Sequence, residues 1–127
     1  MSVEDWPVWK QFLLKHHKRY KHILYDYPLG EGSSQPKTDP SSDADSYRHL
    51  TKKRVDAIGE TADEIHLFEV KPRLTPKALG QAMTYLHLYK RQEKPRKQVR
   101  AYILCQLANE DDLFCCDCCK IEVILVE

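Results

Sequence analysis

Polar and apolar residues alternate with period two over two short stretches in the middle of the chain. In the second, Ile65, Leu67, Glu69 and Lys71 fall on one side of an extended backbone, and His66, Phe68 and Val70 on the other. Both sides are largely apolar, which predicts a strand inside a sheet covered on two faces. Residues 53–59 predict its neighbour, with Arg54, Asp56 and Ile58 on one face and Val55 and Ala57 on the other. The polar run 59–64 is short enough to join the two as a hairpin. A turn centred on Ala62-Asp63 sets Asp56 directly opposite Glu69, and a slip of two leaves them diagonal neighbours on the same face.

Helical spacing predicts the flanking elements. Over 7–20, Trp9, Phe12 and Leu13, followed by His16 or Tyr20, recur on one face, with Trp6 as a staple at the start. Residues 21–27 read as a strand ended by Pro28 and Gly30, Ile23 and Tyr25 facing one way and Leu24 the other. Thr75 as N-cap and Pro76 as first residue open a second helix. Its apolar face is Ala78, Leu79, Ala82, Met83, Leu86 and Tyr89, beside a stripe of Lys77, Gln81, Tyr85 and Leu88. Residues 99–106 predict a strand, Asn109 caps a short helix through about Cys118, and 121–126 predict a buried last strand. Gly, Ser, Pro and Asp crowd 30–46, which predicts a long flexible loop.

The chain has 127 residues, 42% hydrophobic and 31% charged, as expected of one soluble domain over 1–127. It has no apolar run of membrane-spanning length, and its acidic first residues lack the apolar core of a secretory signal. A cytoplasmic setting is the expectation. Five cysteines, an odd number, argue against a disulfide framework. The cluster Cys115-Cys116-Asp117-Cys118-Cys119 has the residue types for zinc or an iron–sulfur group. Adjacent helical cysteines diverge, however, so packing of a helix against the sheet is the expected role. The net charge of +1 conceals segregation: residues 10–21 carry five Lys or Arg and no acid, and 90–100 carry six against Glu93. Two basic stretches around an acidic centre would suit a polyanion.

The acidic centre comes from the hairpin. A carboxylate and an ammonium two residues apart on a buried face need a partner, a metal or a chemical task. Asp56 and Glu69 on rigid strands are hard oxygen ligands suited to Mg²⁺, and Lys71 can orient a water or stabilise developing negative charge.

Asp56, then Glu69-Val70-Lys71, then a helix carrying Gln81-Ala82-Met83-Thr84-Tyr85, resembles the PD-(D/E)xK nuclease superfamily, in the Gln-x-x-x-Tyr variant of its recombination-exonuclease branch. Val55 stands where the family often has proline, and the first helix has acids only at its start, Glu4 and Asp5, where many members project a glutamate into the site. The resemblance implies an α/β, restriction-endonuclease-like fold: an αβββαβ core with a mixed central sheet flanked by helices. It implies Mg²⁺- or Mn²⁺-dependent hydrolysis of phosphodiester bonds in DNA. Asp56, Glu69 and the Val70 carbonyl would hold the metal, and Lys71 would position the attacking water. Gln81 and Tyr85 would orient the site and bind substrate phosphate, with Lys77 and Arg73 as further substrate contacts. The alternative is a nuclease-fold module with little or no catalysis that binds nucleic acid or an assembly partner. Homodimerisation is left open, and viruses and mobile elements are settings where small domains of this kind occur.

Overall fold

The β-hairpin is the centre of the computed structural model, which describes residues 1–33 and 51–127. Most of the loop expected at 30–46 lies outside the described residues. Strand β2 (Lys53–Glu60) pairs antiparallel with β3 (Glu64–Val70) in the register Ala57↔Phe68, Ile58↔Leu67, Gly59↔His66, Glu60↔Ile65. Thr61 closes the turn: its Oγ1 accepts from the backbone N–H groups of Asp63 (3.2 Å) and Glu64 (2.9 Å). Strand β1 (His22–Leu29) adds antiparallel to the free edge of β2. It runs through Pro28, beyond the predicted end, because an edge strand tolerates a residue without N–H.

Helix α1 (Trp6–His16), continued by a 3₁₀ turn over His17–Arg19, precedes the sheet. After the hairpin, helix α2 (Pro76–Glu93) crosses to β4 (Gln98–Cys105), and helix α3 (Glu110–Cys118) crosses to β5 (Glu122–Leu125). Each helix returns the chain to the same end of the sheet, so β4 pairs parallel with β3, and β5 with β4. The order in space is β1-β2-β3-β4-β5, a mixed sheet. Both caps form as expected: Thr75 accepts from the Ala78 N–H, and Asn109 from the Asp112 N–H. The last strand is not buried as expected. It is a sheet edge in which Val123 and Ile124 are half-covered and Leu125 is exposed, and the buried residue is Ile121 just before it.

The two faces of the sheet carry separate cores. On one, Val8, Trp9 and Phe12 of α1 pack on Ala57, Phe68, Val70, Tyr102 and Leu104. Phe68 is the hub, with ring centroids 5.2 Å from Trp9, 5.1 Å from Phe12 and 5.6 Å from Tyr102. On the other, Ala78, Ala82 and Tyr85 of α2 and Cys116 of α3 cover Ile58, Ile65, Leu67, Val99, Ala101, Ile103 and Cys105. One expected face assignment fails. Val55 belongs to the α2-side core with Ile58, not to the α1 side with Ala57. The cause is a local twist in the β1–β2 pair. Asp26, opposite Asp56 in the register, has φ +50, and the strands change faces across it: Tyr25 packs on Trp9 of α1, whereas Tyr27 packs on Tyr89 of α2.

Two consequences of this packing can be measured. The face of Gly59 is filled by the Tyr20 ring, so a Cβ there would lie 2.5 Å from Tyr20 Cδ1. Tyr20 cannot easily retreat, being edge-on to Phe68 and bonded to His66. Gly59→Ala should therefore cost about 1–3 kcal/mol of stability by overpacking, read as a lower urea midpoint. An unchanged midpoint would mean the ring is free to move.

His66 is fully buried between the Tyr20 hydroxyl, 2.9 Å from Nδ1, and Glu64 Oε1, 2.9 Å from Nε2. Burial among aromatic rings lowers its pKa, and the bond to Glu64 opposes this only in part. The ring is therefore neutral, Nδ1 accepting from Tyr20 and Nε2–H donating to Glu64. The unfolded chain then binds the proton more readily than the fold, so stability is full above about pH 6.5 and declines as pH falls below it. Urea midpoints across that range should show the decline in the wild type and a flatter profile in His66→Gln. Equal profiles would assign the decline to other groups.

Candidate active site

Beyond Ala57↔Phe68 the hairpin forks. Its ladder stops there, while β2 stays paired with β1 to Lys53 and β3 stays paired with β4 to Val70. One further step of the same register sets Asp56 across from Glu69. Asp56 spans the fork, its Oδ2 accepting the Val70 N–H at 2.8 Å. The Asp56 carboxyl is close enough to Glu69 to raise its pKa, and the Tyr85 hydroxyl of α2 is close enough to oppose that shift.

Glu69 is only 2% exposed, and its Oε2 has no hydrogen-bond partner among the described residues. Burial, then the bond to Asp56 and its charge, push the Glu69 pKa up to about 8, against the opposing pull of Lys71 and Tyr85. Tyr85 is 7% exposed, and burial together with the two carboxylates raises its hydroxyl pKa well above the usual value. Lys71 enters the site just past β3, with Nζ 4.0 Å from Glu69 Oε1.

The same Nζ lies 3.8 Å from Oδ2 of Asp5, a carboxylate only 2% exposed. Asp5 occupies the N-cap position of α1 but makes no side-chain bond to its helix; its Oδ2 accepts the Ser2 hydroxyl at 2.6 Å. The first helix thus does bring an acid to the lysine, from its start rather than from a turn within it. Sequence spacing could not reveal this, since 66 positions separate the pair (71 − 5). What the sequence does offer is an acid just before a helix; that it is buried without a capping bond is seen only in the structure.

Lys77, Gln81 and Tyr85 line one cleft of about 370 Å³, together with Lys53, Gly80 and Thr84. Gln81 Oε1 points to no hydrogen-bond partner among the described residues. Gly80 lies mid-helix, where glycine costs roughly 0.5–1 kcal/mol relative to alanine, and a Cβ there would meet nothing within 4 Å. Arg73 stands apart from this lining: it is exposed, on the segment that bridges to Leu107. Lys53 and Gly80 are cleft residues that sequence patterning does not single out.

Part of each long basic stretch lies away from the carboxylates. Lys97 bonds Glu60 Oε1 at 3.0 Å and Arg100 bonds Glu64 Oε2 at 2.6 Å, both at the turn end of the hairpin. Lys21, at the far end of the first basic stretch, donates its backbone N–H to the Glu60 carbonyl. From Glu64 to Val70 is six steps of strand, about 20 Å. Charge segregation along the chain therefore partly reflects pairing between basic residues and the acidic turn.

No group of three or more His, Cys, Asp or Glu side chains among the described residues is placed to hold a metal. Cys116 packs under α3 beside Cys105, while Cys115, Cys118 and Cys119 are exposed. The carboxylate pair nonetheless has the donor chemistry for one hard divalent cation. Among the described residues Glu69 Oε2 is a buried oxygen without a hydrogen-bond donor, and two neighbouring carboxyls, one of which raises the pKa of the other, do not both ionise cheaply without a positive charge between them. Two carboxylates, with a main-chain carbonyl, water and substrate oxygens completing the shell, is a common arrangement for Mg²⁺.

No protein-family model matches the chain, and a search of curated proteins returns no match. Two solved structures are similar over all of it. One is a repair endonuclease from Pyrococcus abyssi, at TM-score 0.65 and 16% identity, of which the chain spans 49%. The other is EndoMS in complex with double-stranded DNA, at TM-score 0.56 and 12% identity, of which it spans 46%. The chain thus covers about half the length of each. It has a restriction-endonuclease-like α/β fold, which among the described residues is a mixed sheet of five strands with three α-helices.

Proposed function

We propose that this chain is a nuclease domain that hydrolyses phosphodiester bonds in DNA with Mg²⁺ or Mn²⁺. The observation that carries the reading is the forked hairpin, where two carboxylates set across from each other, one with a buried oxygen unpartnered among the described residues, lie beside a lysine ammonium. The likeness of fold to a repair endonuclease and to a protein in complex with DNA supports it.

Asp56, Glu69 and the Val70 carbonyl would hold the cation, which when bound supplies charge stabilisation at a phosphoryl oxygen and lowers the pKa of a water. The protein's own groups do the positioning. The Asp56 carboxylate is fixed by its bond to the Val70 N–H and cannot swing away. The Tyr85 hydroxyl, near Glu69 on α2, would help to orient it. Lys71, held between Glu69 and Asp5, directs its ammonium at the attacking water and at the charge that develops on the phosphoryl group. Gln81 and Lys77 present an amide and an ammonium to the substrate backbone from α2. Arg73, exposed beside the end of β3, meets the strand farther out.

The test is incubation of the purified chain with linear, circular, branched and single-stranded DNA, with Mg²⁺, with Mn²⁺ and with chelator. Metal-dependent cleavage of at least one substrate is expected. Binding without cleavage under every metal would replace the enzyme by a nuclease-fold binding module.

A further inference from the structure

We infer that the cleft over α2 lined by Lys53, Lys77 and Gly80 is a subsite for one phosphodiester of a single DNA strand, next to the bond that is cut and not at it. The inference rests on the nuclease reading for its choice of ligand, and on the cleft itself for its location.

Three observations converge. First, Gly80 has no structural reason to be glycine. Its backbone is ordinary helix, it lies inside α2, and there is open space where a Cβ would stand. Helix-interior glycine is unfavourable, so the bare backbone serves something that approaches it closely. Second, the wall around that bare spot is polar and cationic. Lys53, from the start of β2, and Lys77, from the first turn of α2, are both exposed and line the same cleft as Gln81 and Tyr85. Third, the side chain one turn on is held down in a way that keeps the floor flat. The Thr84 hydroxyl folds back to donate to the Gly80 carbonyl at 2.7 Å, so it does not stand up into the cleft. Two ammonium groups flanking a floor without side chains fit an anion whose attached chain must pass close to the helix. A phosphodiester between two sugars has that shape and charge. Tyr85 lines the cleft and its hydroxyl is close enough to Glu69 to act on its pKa, so a strand lying over Gly80 leads toward the carboxylates. At about 370 Å³ the cleft is at the small end of ligand pockets, room for one sugar–phosphate unit.

Gly80→Ala, Lys53→Gln and Lys53→Arg test the subsite. Each is compared with wild type for thermal melting, for binding of a short fluorescein-labelled single-stranded oligodeoxynucleotide in Ca²⁺ at several salt concentrations, and for cleavage in Mg²⁺ and Mn²⁺. Gly80→Ala should melt roughly 2–5 °C higher, as expected for alanine in a helix, yet bind about tenfold more weakly because its methyl stands where the strand must pass. That combination cannot come from charge, which the substitution leaves alone, or from damage to the fold. Lys53→Gln should weaken binding and flatten the log–log salt dependence by about 0.7, the value of one contact to a single strand, and Lys53→Arg should restore both. Wild-type affinity in Gly80→Ala and Lys53→Gln would overturn the subsite, as would absence of any single-strand binding by the wild type. The nuclease reading is separable. If the wild type cleaves nothing yet its binding depends on Gly80 and Lys53 as described, the subsite stands and the enzyme falls. If the wild type cleaves and the variants bind and cleave as it does, the enzyme stands and the subsite falls.

Discussion

Lys71→Ala is expected to reduce metal-dependent DNA cleavage by about 10²–10³-fold, the usual effect of removing one positioned donor from developing charge, while leaving the fold and metal binding in place. The geometry separates these roles. Lys71 lies past the end of β3 and is 38% exposed on its side chain, so truncating it opens no cavity in either core. The carboxylates keep their own contacts: Asp56 stays bonded to the Val70 N–H, and Glu69 stays against Asp56 and Tyr85. Asp56→Ala should behave differently and lose metal affinity together with activity, because it removes a ligand and leaves the Val70 N–H without its acceptor. Asp5→Asn should fall between wild type and Lys71→Ala, since it removes the charge facing the ammonium but leaves the ammonium itself. Turnover of a labelled DNA by the wild type and the three variants, with circular dichroism for folding and isothermal titration for Mn²⁺, distinguishes them. Wild-type turnover by Lys71→Ala would move the chemistry away from this site.

Glu69→Gln should abolish activity and the response to metal, yet make the metal-free protein more stable at alkaline pH. In the wild type, Glu69 is buried against Asp56 with an unpartnered Oε2, and its pKa is pushed up to about 8. A carboxyl whose pKa is raised in the fold binds its proton more tightly there than in the unfolded chain. Wild-type stability should therefore fall as pH rises from the unfolded value of 4.5 through about 8, and level off above that. Glutamine keeps the shape, has no charge to bury and can donate its amide to Asp56, so the variant should be flat across the same window. Above the folded pKa the gap between the two should be on the order of a few kcal/mol, since each tenfold difference in proton affinity between fold and unfolded chain is worth about 1.4 kcal/mol at most. Adding Mg²⁺ should raise the wild-type midpoint, by about 2.7 kcal/mol at a hundredfold excess over Kd, and leave the variant unmoved. The measurement is urea unfolding across the pH window, with and without Mg²⁺. Parallel pH profiles for the two proteins would show that Glu69 is not the titrating group.

The contrast expected between these two substitutions would mark where the proposed function opposes stability. Lys71 sits where solvent still reaches and costs the fold little. Glu69 sits in a dry position, with one oxygen that nothing in the described protein satisfies, and the fold tolerates it because the two cores are complete without it.

Much of the candidate site's geometry was legible in the chain because it depends on short-range rules. Period-two alternation and the length of the turn set the register, and so set Asp56 across from Glu69 before any tertiary contact was known. Thr75-Pro76 and Asn109 marked helix starts because a cap is a contact between residues three apart. The tertiary structure alone decided the rest, and each case involves residues that local periodicity cannot connect. Docking of α1 through Trp9 and Phe12 on Phe68 swings Asp5 to Lys71. The path of α2 over the sheet brings Gly80 and Lys77 to Lys53. The twist at Asp26 turns Val55 to the opposite core from the one alternation assigns it. Pairing of Lys97 and Arg100 with the hairpin turn removes them from the charge that segregation along the chain offered a polyanion. Alternation records which way a side chain leaves its own strand; which group it then meets depends on how separate elements pack, and that is fixed by the complementarity of two buried surfaces.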